Sequence, residues 1–147
     1  MNSLKIAIGA DHAGFELKEK LAKHLQDWGH EVIDHGTNNS ERVDYPDFGH
    51  LVAKDLKEQR VDLGLVICGS GNGINMAVNK YEGIRSAISW TAEIARLARQ
   101  HNDANVLALP ARFISEDEAE AILKAFLEAD FEGGRHARRV AKINPKA

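Results

Sequence analysis

The residues best suited to chemistry in this sequence fall in a few short segments. Gly69-Ser70-Gly71-Asn72-Gly73 places three glycines in five positions. Such a turn lets backbone N–H groups approach a ligand closely, and a helix starting behind it adds a positive N-terminal end. The arrangement suits an anionic oxygen, either of a phosphate or of an enolate; its plain alternative is a tight turn that requires positive φ. It is not the GxGxxG dinucleotide pattern, because neither Ile74 nor Met76 supplies the last glycine. Gly9 and Gly14 have Walker spacing, but Phe15-Glu16 stands where Lys-Ser/Thr belongs. Directly before the turn stands Cys68, the only cysteine. A thiol where a strand meets a helix N-terminus can serve as base or nucleophile; otherwise it is a small buried hydrophobe.

A second segment, Gly9-Ala10-Asp11-His12-Ala13-Gly14, sets an acid beside an imidazole. It reads as a functional turn or as a simple one. His101 precedes Asn102-Asp103 at a predicted helix end, where it is either an acid–base group or a cation on the helix dipole. Arg135 and Arg139 are four apart, so one helix face offers both to a single phosphate. A solvated face or a subunit contact would use them equally well. His136 lies between arginines, whereas His24, His30, His35 and His50 read as surface or cap residues. A metal has little support: HExxH is absent, and His12, Cys68 and His101 make a weak ligand set.

These segments must be held by regular elements. Leu4–Gly9, Glu31–Asp34, Leu63–Cys68, Ile84–Ser89 and Val106–Leu109 read as short apolar strands. Between them, helices are predicted over Phe15–Trp28, from Pro46 to about Glu58 with Leu51, Val52 and Leu56 inward, from the glycine turn to Lys80, and over Thr91–Gln100. Ser115-Glu116-Asp117-Glu118 is a capping box opening a helix with Ala119, Ile122, Leu123 and Phe126 on one face. Glu132-Gly133-Gly134 breaks the chain before a last short basic helix from Arg135. Five alternations imply right-handed crossovers and a parallel sheet. The expectation is a three-layer α/β/α, Rossmann-like (flavodoxin-like) sandwich with strand order 2-1-3-4-5. Ligands bind such sheets beyond the carboxyl ends of the strands, where the order reverses. That point lies between the first and third strands, so the two unusual turns are predicted neighbours.

The 147 residues fit one domain, taken as 1–147, and 44% hydrophobic with 28% charged residues argues against disorder. One cysteine excludes an intrachain disulfide and fits a reducing compartment. Lys5 interrupts the N-terminal apolar run, no stretch has the length of a membrane span, and the expected location is the cytoplasm. The net charge of −3 hides a basic tail: residues 132–147 carry five Lys/Arg against Glu132 alone. Without interleaved aromatics and on an acidic body, this tail is a poor nucleic-acid site.

Taken together, Gly9–Gly14, Asp44-Tyr45-Pro46, Cys68–Gly73, Arg99-Gln100-His101-Asn102-Asp103 and Glu132-Gly133-Gly134-Arg135-His136 resemble the ribose-5-phosphate isomerase B family, which also holds the galactose-6-phosphate isomerase subunits. The resemblance covers nearly the whole chain. It implies an aldose–ketose isomerase that uses no metal or other cofactor, takes a sugar phosphate, and works as a homodimer or homotetramer with active sites at the subunit interface. It implies roles residue by residue: Cys68 as the base between C2 and C1, His101 as the ring-opening acid, and the amides of Gly69, Ser70, Gly71, Asn72 and Gly73 with the Ser70 hydroxyl holding the enediolate oxygens. Asp11 and His12 match substrate contacts, Asp11 also as a proton shuttle; Asn102 matches a hydroxyl contact and Tyr45 a residue lining the sugar. Arg135 and Arg139 match the phosphate clamp, and Arg112 a further substrate arginine. Some members lack the cysteine and use a glutamate just after the glycine turn; here that position is Ile74, so the chain is similar to the cysteine-base subclass. An isomerase of a six-carbon aldose phosphate and a non-catalytic sugar-phosphate-binding module are the competing readings.

Overall fold

The computed structural model describes residues 2–146; the ends of the expected 1–147 domain, Met1 and Ala147, lie outside them. The elements are β1 (Lys5–Ala10), α1 (Phe15–Asp27), β2 (Glu31–Asp34), α2 (Tyr45–Lys57), β3 (Leu63–Cys68), α3 (Asn72–Val78), β4 (Ser86–Ile88), α4 (Ala92–Asn102), β5 (Val106–Pro110), α5 (Glu116–Glu128) and α6 (Arg135–Val140). Local chemistry accounts for their ends. Pro46 sits in the first turn of α2, where its missing N–H costs nothing. The Thr91 side chain accepts from the Ile94 N–H and opens α4. Ser115 Oγ accepts from the Glu118 N–H at 3.0 Å while Glu118 Oε1 accepts from the Ser115 N–H at 3.0 Å, completing the capping box on α5. In α2 the inward stripe is Gly49, Val52 and Ala53, with Leu56 partly covered. Leu51, expected inward, is 40% exposed, because it lies about 100° around the helix from Val52.

The five strands form one parallel sheet in the order β2-β1-β3-β5-β4. The α/β/α architecture is as expected, but the order 2-1-3-4-5 is corrected at its far side. The strands themselves carry the reason. All five residues of β5 are buried, as a strand covered on both faces requires. The three residues of β4 are only partly buried, which suits an edge. The chain therefore steps past the β5 position to β4 and then back. A right-handed crossover taken backwards places its helix on the opposite face. So α4 packs against α5 on the α1 side, while α2 and α3 cover the other face.

Two apolar clusters follow from this layering. Ile6, Ile8, Leu65, Ile67, Leu107 and Leu109 join Leu21, Leu25, Ile122 and Phe126 on one face. Ala7, Val66, Ala108 and Cys68 join Val52, Ala53, Ile74 and Val78 on the other. Alternate strand residues thus feed alternate faces. His30, expected as a surface or cap residue, is buried at the base of α1, where its Nδ1 accepts from the Leu4 N–H at 3.0 Å. Among the described residues no helix is long and apolar enough to cross a membrane.

Candidate active site

The turns after β1 and β3 meet, as the strand pairing requires. β1 and β3 run side by side to Ala10 and Ile67, and the Asp11 N–H donates to the Ile67 carbonyl at 3.2 Å. Asp11 is buried; its Oδ1 accepts from the Ala13 and Gly14 N–H groups at 3.0 and 3.1 Å, which shapes the first turn. Gly14 is there for closeness: a Cβ would lie 2.7 Å from Ile67 Cγ2. His12 Nδ1 accepts from the Val43 N–H at 3.3 Å, tying the loop before α2 to the same edge.

Cys68 ends β3, 5% exposed, and its carbonyl accepts from the Ala111 N–H at 2.9 Å. Gly71 precedes α3 with φ +77°, a conformation that glycine adopts without strain. Ser70 Oγ accepts from the Asn72 N–H at 3.2 Å. Tyr45 lies against Gly73, where a Cβ would stand 2.5 Å from its ring. The corrected strand order explains Arg112. Since β5 is the neighbour of β3, Cys68 pairs with Pro110, and the next turn brings the Arg112 N–H to the Gly69 carbonyl at 3.0 Å. A Cβ on Gly69 would lie 3.2 Å from Arg112 Nη1. His12, Arg42 and Arg112 line an open cavity of about 640 Å³ together with Asp44 and Asp47.

The other expected residues lie elsewhere. His101 and Asn102 close α4, which runs back from the carboxyl edge of the sheet toward its amino edge. Arg85, just before β4, donates to the Asn102 and Asp103 carbonyls at 3.2 and 3.0 Å and fixes that end. α6 packs on α4 and brings Arg135 and Arg139 to the same place. The His101 and His136 rings stack at 4.2 Å and 10°. Glu132 Oε1 lies 3.7 Å from His101 Nε2 and 3.5 Å from His136 Nε2. Burial holds the His136 pKa below the ordinary histidine range, helped by His101, Arg135 and Arg139 and opposed by Glu132. The residues expected at the site therefore fall into two groups on opposite edges of the sheet. One holds Cys68, the glycine turn, Asp11, His12, Tyr45 and Arg112; the other holds His101, Asn102, Arg135 and Arg139.

A sequence profile described as Ribose/Galactose Isomerase matches residues 6–143. The chain belongs to the ribose/galactose isomerase family. It is accordingly an isomerase. It is 48% identical to ribose-5-phosphate isomerase B of Escherichia coli over 139 residues, 95% of this chain and 93% of that protein. The structure of Clostridium thermocellum ribose-5-phosphate isomerase B superposes with a TM-score of 0.94 at 52% identity, covering 95% of this chain and 94% of that one. That of Mycoplasma genitalium ribose-5-phosphate isomerase B with bound ribulose-5-phosphate gives a TM-score of 0.90 at 46% identity, covering 95% and 93%.

Three residues near these groups were given no site role from the sequence. Arg42 lines the His12 cavity from a polar loop and has no periodic signal. Glu132 and His136 join His101. Their i, i+4 spacing was visible, but their approach to α4 was not.

Proposed function

We propose that this chain interconverts D-ribose 5-phosphate and D-ribulose 5-phosphate through a cis-enediolate, as a single sugar-phosphate isomerase domain acting in a cytoplasmic homodimer. The observation that carries this reading is Cys68 beside the glycine turn in a member of this family, with Ile74 where a glutamate base would stand. The Mycoplasma genitalium relative with bound ribulose-5-phosphate supports the substrate.

His101 of the partner subunit protonates the ring oxygen as its bond to C1 breaks, and the anomeric hydroxyl releases its proton to water, leaving the open-chain aldehyde. Cys68 then takes the proton from C2 and returns it to C1, while a second proton passes between the two hydroxyl oxygens with Asp11 as shuttle. The amides of Gly69 to Gly73 and the Ser70 hydroxyl meet the negative charge that develops on those oxygens. Such preorganised donors act where charge forms and need no reorganisation. His12, Tyr45, Arg112 and Asn102 orient the open chain. Arg135 and Arg139 hold the phosphate, and this remote binding energy positions the reacting carbons. The two groups on opposite edges of one chain support an interface site, since a second copy can bring His101 to Cys68. A reducing cytoplasm keeps Cys68 a free thiol.

The test is a panel of pentose and hexose aldose phosphates with coupled detection of the ketose. Ribose 5-phosphate is expected to turn over fastest, and Cys68→Ala to lower that rate by at least roughly 10² while substrate still binds. A faster six-carbon substrate would overturn the substrate assignment. Near-normal turnover in the variant would remove Cys68 as the base.

A further inference from the structure

We propose that His101, Glu132 and His136 form an inhibitory binding site for a divalent transition-metal ion of the zinc class. His101 Nε2 and His136 Nε2 lie 3.7 and 3.5 Å from Glu132 Oε1, and the three donor atoms all fall within 4.8 Å of one another. Ligands about 2.0–2.1 Å from a tetrahedral ion stand roughly 3.3 Å from each other, so the two carboxylate–imidazole distances need to close by a few tenths of an ångström and the imidazole–imidazole distance by up to about 1.5 Å. The rings stack in parallel at 4.2 Å, so metal binding requires them to tilt apart until both lone pairs meet at one point.

A second observation points to a ligand here. His136 is 6% exposed, yet its Nε2 has no hydrogen-bond partner. The 3.5 Å contact with Glu132 is an ion-pair distance and does not satisfy it. A buried, unsatisfied imidazole nitrogen is costly to leave so, and it faces the carboxylate. The support is firm: the Glu132 N–H donates to the Gln100 carbonyl at 3.0 Å and holds the loop against α4. Two imidazoles and one carboxylate leave a fourth position open, which is the ligand set of an exchangeable site. Arg135 and Arg139 oppose a second cation nearby, so binding is weaker than in a structural zinc site.

The ion is not a cofactor. Coordination would occupy the His101 nitrogen and remove the ring-opening acid, so the bound metal stops turnover. Only this inhibition rests on the proposed role of His101; binding itself does not.

Purified full-length protein titrated with Co²⁺ alone, followed by visible absorption, tests the site, with Zn²⁺ then added as competitor. About one ion per chain with the strong bands of four-coordinate cobalt is expected. Glu132→Gln and His136→Gln are each expected to weaken binding at least about tenfold, and Cys68→Ser to leave it unchanged. Glu132 is half exposed, so that variant decides the matter even where the buried His136 substitution does not fold. Zn²⁺ inhibition should be reversed by a chelator and weakened by the same factor in Glu132→Gln. No saturable binding up to millimolar metal, undiminished affinity in Glu132→Gln, or loss of binding in Cys68→Ser would overturn the proposal. Metal binding without any isomerase turnover would instead count against the catalytic reading alone.

Discussion

Chains carrying Cys68→Ala and chains carrying His101→Asn are each expected to lose roughly 10²–10⁴ in turnover, the usual contribution of an acid–base group. Co-expressed, they are expected to recover activity that neither has alone. The geometry sets the size of the recovery. Cys68 closes β3 at the carboxyl edge of the sheet, and His101 is the penultimate residue of the 11-residue α4, which runs to the opposite edge. At 1.5 Å per residue that helix spans about 16 Å, whereas proton transfer requires contact near 3 Å. The two side chains of one chain therefore cannot serve one substrate. In a random mixture half of the dimers are mixed, and each mixed dimer has one intact site of two, so about one quarter of wild-type turnover should return. Arg112 lies with Cys68, so Arg112→Ala should complement His101→Asn but not Cys68→Ala. The assay is coupled detection of ribulose 5-phosphate, with two affinity tags to verify mixed dimers. Verified mixed dimers that remain as slow as the single variants would refute the shared site.

Three further outcomes concern the scaffold. Gly14→Ala places a methyl group 2.7 Å from Ile67 Cγ2 and 2.8 Å from the Ile67 carbonyl oxygen; urea unfolding should show a loss of about 1–3 kcal/mol, and an unchanged midpoint would contradict the close approach. Ser115→Ala breaks the capping box of α5 and should cost about 1 kcal/mol in the same assay, with retained stability counting against the cap. Burial lowers the His30 pKa from 6.5. The fold prefers neutral His30, so stability is full above 6.5 and falls as pH drops from there toward the lower folded value. His30→Gln should flatten that part of the urea midpoint-against-pH curve; an identical slope would show that His30 does not contribute.

Much of this was legible in the chain. β2 and β3 have the bounds their residues indicate, Glu31–Asp34 and Leu63–Cys68. The cap at Ser115 and the inward residues of α5 are local patterns and appear as read. The meeting of the two turns followed from topology alone, because a doubly wound sheet sets its first and third strands side by side. His30 was not legible: its neighbour across the packing, Leu4, is 26 residues away in the chain.

The sequence by itself determined the alternation of strands and helices, the parallel sheet, and the pairing of Asp11-His12 with the Cys68 turn. These depend on periodicity, on turn chemistry and on the one hand in which crossovers wind. Tertiary structure alone decided that β5 rather than β4 lies against β3, since that choice rests on which strand is buried on both faces once the helices have packed. From that choice follow Arg112 beside Gly69 and α4 on the α1 side, with His101 carried to the far edge of the sheet. Residue spacing shows which groups a chain owns. How far apart the folded chain holds them, and so whether one copy can complete the site, is a property of the packing.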